Sequence, residues 1–238
     1  MIELRKTLMI SVIIPAFNEQ EHIGNVIKTA KKIKEIDEII VVDDGSTDAT
    51  VEIAKKFGAK IILSRKNGGK GSAMKLGSER AIGDVLLFLD ADLKNVNTNK
   101  IRSMIEPFRH MVDFVKTRFD RNAGRVTLLT AKPLLEHFFP EVAQRFEQPL
   151  SGQIGIKKDI FDKLTLEQDY GVDVGILIDV VEMKVKTEEV NFGYLEHNEK
   201  VLEDLDKMAK QVAGVILNRA TKYDRLNDKP PMIDSQYA

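Results

Sequence analysis

The strongest constraint on the fold is a regular beat of short apolar runs in the first 95 residues. Residues 9–14, 38–42, 60–64 and 85–89 are each five or six residues long, and most are rich in β-branched side chains. Near-continuous apolar runs of this length predict strands buried on both faces, as in a parallel sheet. Helical spacing fills the intervals: Ile23, Val26, Ile27, Ala30 and Ile33, then Val51, Ala54 and Phe57, then Ala73, Leu76 and Ala81. Asn18 with Glu21 three positions on predicts a capped start for the first helix, and Gly58 suits the end of the second. Alternating strands and helices imply right-handed crossovers, hence an α/β, doubly wound, mostly parallel sheet.

Ligands of such sheets bind beyond the carboxyl ends of the strands. Four polar clusters fall there: residues 15–19, 43–46, 65–71 and 90–92. The two carboxylates of Asp90-Ala91-Asp92 sit at the start of a turn and can converge on one hard cation. Mg²⁺ and Mn²⁺ take oxygen ligands and are commonly shared with substrate phosphates, so the pair reads as a metal–diphosphate site. Gly69-Lys70-Gly71 before a helix offers backbone, a helix N-terminus and a point charge to phosphate. It is not a P-loop, because the required spacing to Lys-Ser/Thr is missing. Arg65 and Lys66 read as solvated.

The second half is less regular. Ile101, Met104, Ile105 and Phe108 predict a helix, 112–119 a strand, 118–125 a basic loop, and 126–139 an apolar helix. A turn at 149–152 leads to a strand at 153–156. Residues 174–181 are apolar nearly all round and predict a deeply buried helix, followed by a strand at 185–192. Residues 201–219 form a long amphipathic helix that can pack on its own domain, on a second subunit as a homodimer, or as a peripheral contact on a membrane. The tail from Lys222 reads as loosely held. One domain over 1–222 is expected, its halves meeting near residue 95, with 223–238 as tail.

Composition narrows the function classes. With 238 residues, 43% hydrophobic and 31% charged, the chain can bury a sizeable core. A net charge of −1 gives no support for nucleic-acid binding. The lack of cysteine excludes disulfides, cysteine nucleophiles and thiolate metal sites. The charged first nine residues do not resemble a signal peptide, and the apolar stretches are too short for a transmembrane span. A soluble, cytoplasmic protein is expected.

Residues 11–19 (Ser-Val-Ile-Ile-Pro-Ala-Phe-Asn-Glu), 41–48 (Val-Val-Asp-Asp-Gly-Ser-Thr-Asp) and Asp90-Ala91-Asp92, taken as an ordered set, resemble the family 2-like glycosyltransferases of GT-A fold. The resemblance implies a nucleotide-sugar donor and a divalent metal. It places Glu19 and Asp44 at the base and ribose, with Pro15 and Ala16 presenting backbone there. Gly69 and Lys70 fall at the diphosphate, and Asp90 and Ala91 beside the donor. Asp92 and His197 are the implied metal ligands.

Gly124-Arg125-Val126-Thr127, Pro149-Leu150-Ser151-Gly152, Tyr170-Gly171-Val172-Asp173 and His197 recur in the order seen in glucosyl-3-phosphoglycerate synthases, although Asp173 stands where those enzymes usually carry glutamate. This narrower resemblance implies transfer of a hexose, with retention, from a UDP-glucose or GDP-mannose type donor to a small phosphorylated acceptor. Gly124, Arg125 and Thr127 would cradle the acceptor phosphate. Ser151, Gly152 and Tyr170 would line the substrate site. Asp173 would orient a hydroxyl, act as helix N-cap, or do both. Inverting transfer to a polyprenyl phosphate, or donor binding without turnover, are the competing readings.

Overall fold

The computed structural model describes residues 8–64, 66–120, 124–196 and 202–227. Among them, seven strands form one sheet: β1 (Ile10–Ala16), β2 (Glu38–Asp43), β3 (Lys60–Leu63), β4 (Val85–Phe88), β5 (Phe114–Arg118), β6 (Ile154–Lys157) and β7 (Thr187–Asn191). Their order is β3-β2-β1-β4-β6-β5-β7. Neighbours are parallel except β6, which runs against both β4 and β5. The helices are α1 (Ile23–Ala30), α2 (Thr50–Lys56), α3 (Lys70–Arg80), α4 (Thr98–Ile105), α5 (Lys132–Phe138), α6 (Pro140–Arg145), α7 (Lys158–Phe161), α8 (Val172–Glu182) and α9 (Leu202–Lys222). The α/β expectation holds.

Burial on both faces explains the apolar runs. Val12, Ile14, Val41, Val85, Leu87 and Val115 pack in one cluster with residues of α1 and α4. The alternate residues Ile13, Ile40, Val42, Leu86, Phe88 and Phe114 pack in another with α3, α8 and α9. Each such side chain taken out of water contributes about 1.5–3 kcal/mol. Among the described residues, no helix is long and apolar enough to cross a membrane.

Register brings the polar clusters to one edge. Ala16 lies opposite Asp43, Asp43 opposite Leu63, and the Leu89 amide donates to the Ile13 carbonyl just past β4. Because β6 is reversed, with Ile154 opposite both Phe88 and Lys116, residues 151–153 arrive at that same edge.

Four local expectations change. Asn18 does not cap α1, which starts at Ile23. It sits at φ +55° and its carboxamide oxygen accepts from the Thr47 amide at 2.8 Å, tying the first strand-end loop to the second. The helix expected over 126–139 begins as a π-helical turn (Thr127–Ala131) before α5, and α6 follows it. Asp173 does not cap α8: the cap residue is Gly171, without a side-chain bond. The tail begins with anchored residues: Tyr223 donates to Asp179 at 2.7 Å, and Arg225 to Glu141 at 2.9 Å and Glu182 at 2.7 Å. Arg65, His197 and Pro230-Pro231 lie outside the described residues.

Candidate active site

The centre of the strand-end edge is a lysine between two carboxylates. Lys70 opens α3, and its Nζ lies 2.9 Å from Asp90 Oδ1 and 2.9 Å from Asp173 Oδ2. β4 delivers Asp90 and the first turn of α8 delivers Asp173. Gln153, just before β6, donates its amide to Asp90 Oδ2 at 2.5 Å. Gly152 packs against Asp90 and Lys70 so closely that a Cβ would overlap the carboxylate. Below them Lys116 of β5, fully buried, donates from Nζ to the Asp173 carbonyl at 3.3 Å. The Thr117 and Ser151 hydroxyls share a hydrogen bond of 2.5 Å alongside.

Burial alone would lower the pKa of Lys70, but the carboxylates of Asp173 and Asp90 outweigh it and hold the ammonium above its ordinary value. Burial pushes the Asp173 carboxyl up, against the pull of Lys70 and Lys116. Burial pushes Lys116 down to about 8, with Asp173 and Asp90 opposing only in part. Asp173 Oδ1 is buried and has no hydrogen-bond partner in this structure. A second charged amine and an unsatisfied carboxylate oxygen at one point in the interior are costly, and such groups cluster at functional sites.

The Gly-rich turn is fixed from below. Asp44 accepts the Gly68 amide at 3.0 and 3.1 Å and the Gly69 amide at 2.7 Å, so in this state its carboxylate clamps the turn. Asp43 Oδ2 takes the Gly45 and Ser46 amides at 3.2 Å each, closing the loop after β2. Gly69, at φ +81°, and Gly71 lie under the chain at 167–169, and a Cβ on Gly71 would land on the Glu167 carbonyl. That oxygen is backbone and cannot swing aside. Gly71→Ala is therefore expected to cost about 1–3 kcal/mol of stability, read as a lower urea midpoint at unchanged m-value.

Asp90 and Asp92 divide between two sides. Asp90 faces Lys70, whereas Asp92 lines a cleft of about 240 Å³ with Asn18, Glu19, Gln20, Glu21, His22 and Asp48. Burial, followed by the nearby charges of Asp92 and Asp90, pushes the Glu19 carboxyl up to about 7. Among the described residues, no three His, Asp or Glu side chains form a ready cation cage. Pro15 and the buried Ala16 end β1 beside this cleft, and the Ala16 carbonyl accepts the Asp44 amide at 2.9 Å. Ala91 is buried, and Tyr170 is 41% exposed beside the Gly-rich turn's cover. Gly124 and Arg125 are exposed, Thr127 is buried at the π-helical turn, and no described contact ties them to Lys70. Lys66 is exposed.

Sequence reasoning passed over Lys116 and Gln153. A lysine on the same strand face as Phe114 was the available signal for the first. Gln153 carried none until the reversal of β6 placed it.

An α/β sheet whose parallel strand ends present an Asp-x-Asp turn, a carboxylate-lined cleft and a lysine-bearing Gly turn suits a nucleotide-sugar. The signature of "Glycosyl transferase family 2" matches residues 11–158, and the chain belongs to that family. It is a glycosyltransferase. Its relatives include the glucosyl-3-phosphoglycerate synthase of Petrotoga mobilis, 31% identical over 97% of this chain and 79% of the relative. That of Mycobacterium tuberculosis is 32% identical over 88% of this chain and 73% of the relative. A crystal structure of the latter in complex with Mn²⁺, uridine-diphosphate-glucose and phosphoglyceric acid superimposes with a TM-score of 0.83, covering 90% of this chain and 80% of that one.

Proposed function

We propose that the chain moves glucose from uridine-diphosphate-glucose to 3-phosphoglycerate with the help of Mn²⁺ or Mg²⁺, keeping the configuration of the anomeric carbon. The observation that carries this reading is the Lys70–Asp90–Asp173 centre set beside the Asp92 cleft. It is supported by the relatives named as glucosyl-3-phosphoglycerate synthases, of which that of Mycobacterium tuberculosis was crystallised with Mn²⁺, uridine-diphosphate-glucose and phosphoglyceric acid.

The residues present fit a hard divalent cation. The side chains of Glu19, Glu21, Asp48 and Asp92 line one cleft with carboxylate oxygens, the donor set such a cation takes, and burial followed by the charges of Asp92 and Asp90 raises the Glu19 carboxyl. Asp92 would hold the metal, with the donor diphosphate and His197 completing the shell. The bound cation would supply Lewis-acid stabilisation of the leaving diphosphate. Lys70 adds a fixed positive charge at the N-terminus of α3, aimed where the departing phosphate gains charge. Asp173, with one oxygen on Lys70 and the other unpartnered, accepts a hydroxyl of the sugar or acceptor and orients it. Gly124, Arg125 and Thr127 would meet the acceptor phosphate, and Ser151, Gly152 and Tyr170 the sugar.

The test is a donor–acceptor matrix read by mass spectrometry. UDP-glucose and GDP-mannose are crossed with 3-phosphoglycerate and a polyprenyl phosphate, with Mn²⁺ or with chelator. A hexosyl-phosphoglycerate from the UDP-glucose pair, lost on chelation, is the expected product. Product only with the lipid phosphate would replace the reading. Asp92→Ala is expected to raise the metal concentration for half-maximal turnover about tenfold or more. An unchanged metal requirement would sink the assignment of Asp92.

A further inference from the structure

Between α7 and α8 runs a segment that the reading above uses only to deliver Asp173, yet it is gripped from both sides. On one side it covers the Gly-rich turn. The Gln168 carbonyl accepts the Gly71 amide at 2.7 Å, and the close approach leaves no room for a Cβ at residue 69 or 71. On the other side α9 holds it. Arg219 donates through Nη1 to Glu167 Oε1 at 2.6 Å and through Nη2 to the Thr165 carbonyl at 2.9 Å. About two turns towards the start of α9, Gln211 donates to Asp169 Oδ2 at 2.8 Å.

Arg219 is itself immobilised. It is 6% exposed, and its Nε and Nη2 each lie 2.8 Å from an oxygen of Asp179 on α8. A single guanidinium therefore joins α8, α9 and residues 165–167. This uses its rigid fork of donors, which an ammonium does not have.

We propose that Arg219 is a positioning residue for the transfer site. Through Glu167 it presses residues 165–169 onto the Gly-rich turn and thereby sets where Lys70 and Asp173 stand. Arg219 and Lys70 are far apart in sequence, yet residues 167–168 connect them. Glu167 is six residues before Asp173, and the carbonyl next to it holds the amide next to Lys70. The geometry makes the last helix part of the phosphate-binding apparatus rather than a cover for the apolar face alone. The inference rests on the donor-site reading given under Proposed function.

Removing Arg219 altogether strands Asp179 and Glu167 and tests folding as much as function, so the informative variant is Glu167→Gln. It leaves the bidentate Arg219–Asp179 pair in place and weakens only the grip on the segment. Two readouts are needed. Hydrogen exchange without any ligand should show the Gly71 amide losing about tenfold protection while the β1 amides keep theirs. Calorimetry with uridine diphosphate and Mn²⁺ should show affinity about tenfold weaker. Arg219→Lys should move both readouts in the same direction.

Unchanged exchange at Gly71 together with unchanged uridine-diphosphate affinity in Glu167→Gln would overturn the proposal and leave Arg219 a packing residue. Failure of the wild-type chain to bind uridine diphosphate would overturn the donor-site reading and the positioning role with it. The exchange measurement tells these two failures apart.

Discussion

Lys70→Met is expected to lose about 3 kcal/mol of stability and, at the same time, turnover by a factor of about 10²–10³. The first loss follows from what the lysine stands between. Asp173 is buried and Asp90 about one-quarter exposed, each 2.9 Å from the ammonium, so the substitution removes the cation both carboxylates contact and leaves only the more distant charge of Lys116. Methionine fills the volume but supplies neither charge nor donor. The pH dependence has a definite sign. Without Lys70 the Asp173 carboxyl, already raised by burial, rises further. Its folded-state pKa then exceeds the unfolded value, so the folded state binds more protons between the two. Stability therefore falls as pH rises through that window, and the variant recovers on acidification. Urea unfolding at pH 5 and pH 7.5 measures it. The double variant Lys70→Met/Asp173→Asn should regain most of the stability while staying inactive. A single variant as stable as the wild type at both pH values would show that the ion pair does not form in solution.

Lys116→Met is expected to act in the opposite direction on stability, gaining about 3 kcal/mol at pH 7. Burial holds the folded pKa of Lys116 near 8 against an ordinary 10.5, a gap worth about that much free energy. Below pH 8 the amine is charged in both states and the full cost of burying it is present. Between about 8 and 10.5 the unfolded chain still binds the proton that the folded chain has released. The wild type thus becomes relatively more stable as pH rises, and the advantage of the methionine variant shrinks over that window. The gain should come with a functional loss. Lys116 helps keep the Asp173 carboxylate ionised, so the acid limb of the pH–rate profile should move to higher pH in the variant. Paired unfolding curves from pH 7 to pH 10 decide the first point, and a variant less stable than the wild type throughout would refute it.

Much of the donor half was legible because burial on both faces writes itself into composition. A run such as Val-Ile-Ile at 12–14 has few alternatives to a central strand, and the polar residue that ends it must lie at the sheet's edge. Strand-end reasoning of this kind put the clusters holding Glu19, Lys70 and Asp90 at one edge, where Lys70 meets Asp90. It failed where pairing is set by the rest of the chain. Nothing local in Gln153-Ile154-Gly155-Ile156 distinguishes a strand running against β4 from one running with it, and so Gln153 was missed. Asn18 has the chemistry of a helix cap, but a nearer amide, that of Thr47 on the neighbouring loop, takes its oxygen. The grip of Arg219 on Asp179 and Glu167 spans 40 and 52 residues and leaves no periodic trace.

The single reversed strand carries a consequence for how such an enzyme can change. On the donor side, each loop at the ligand edge leads into a helix that must cross back over the sheet, so its length is tied to the whole layer. β6 reaches the edge from the opposite direction, and the turn before it is tied to neighbouring strands by the Glu147 and Gln148 amides on Glu189, by Ser151 on Thr117 and by Gln153 on Asp90. Residues 146–150 can change without re-threading a crossover, whereas 151–153 are fixed by Thr117, Lys70 and Asp90. Divergence can therefore accumulate in the first part of that turn while the residues that meet Lys70 and Asp90 are inherited intact.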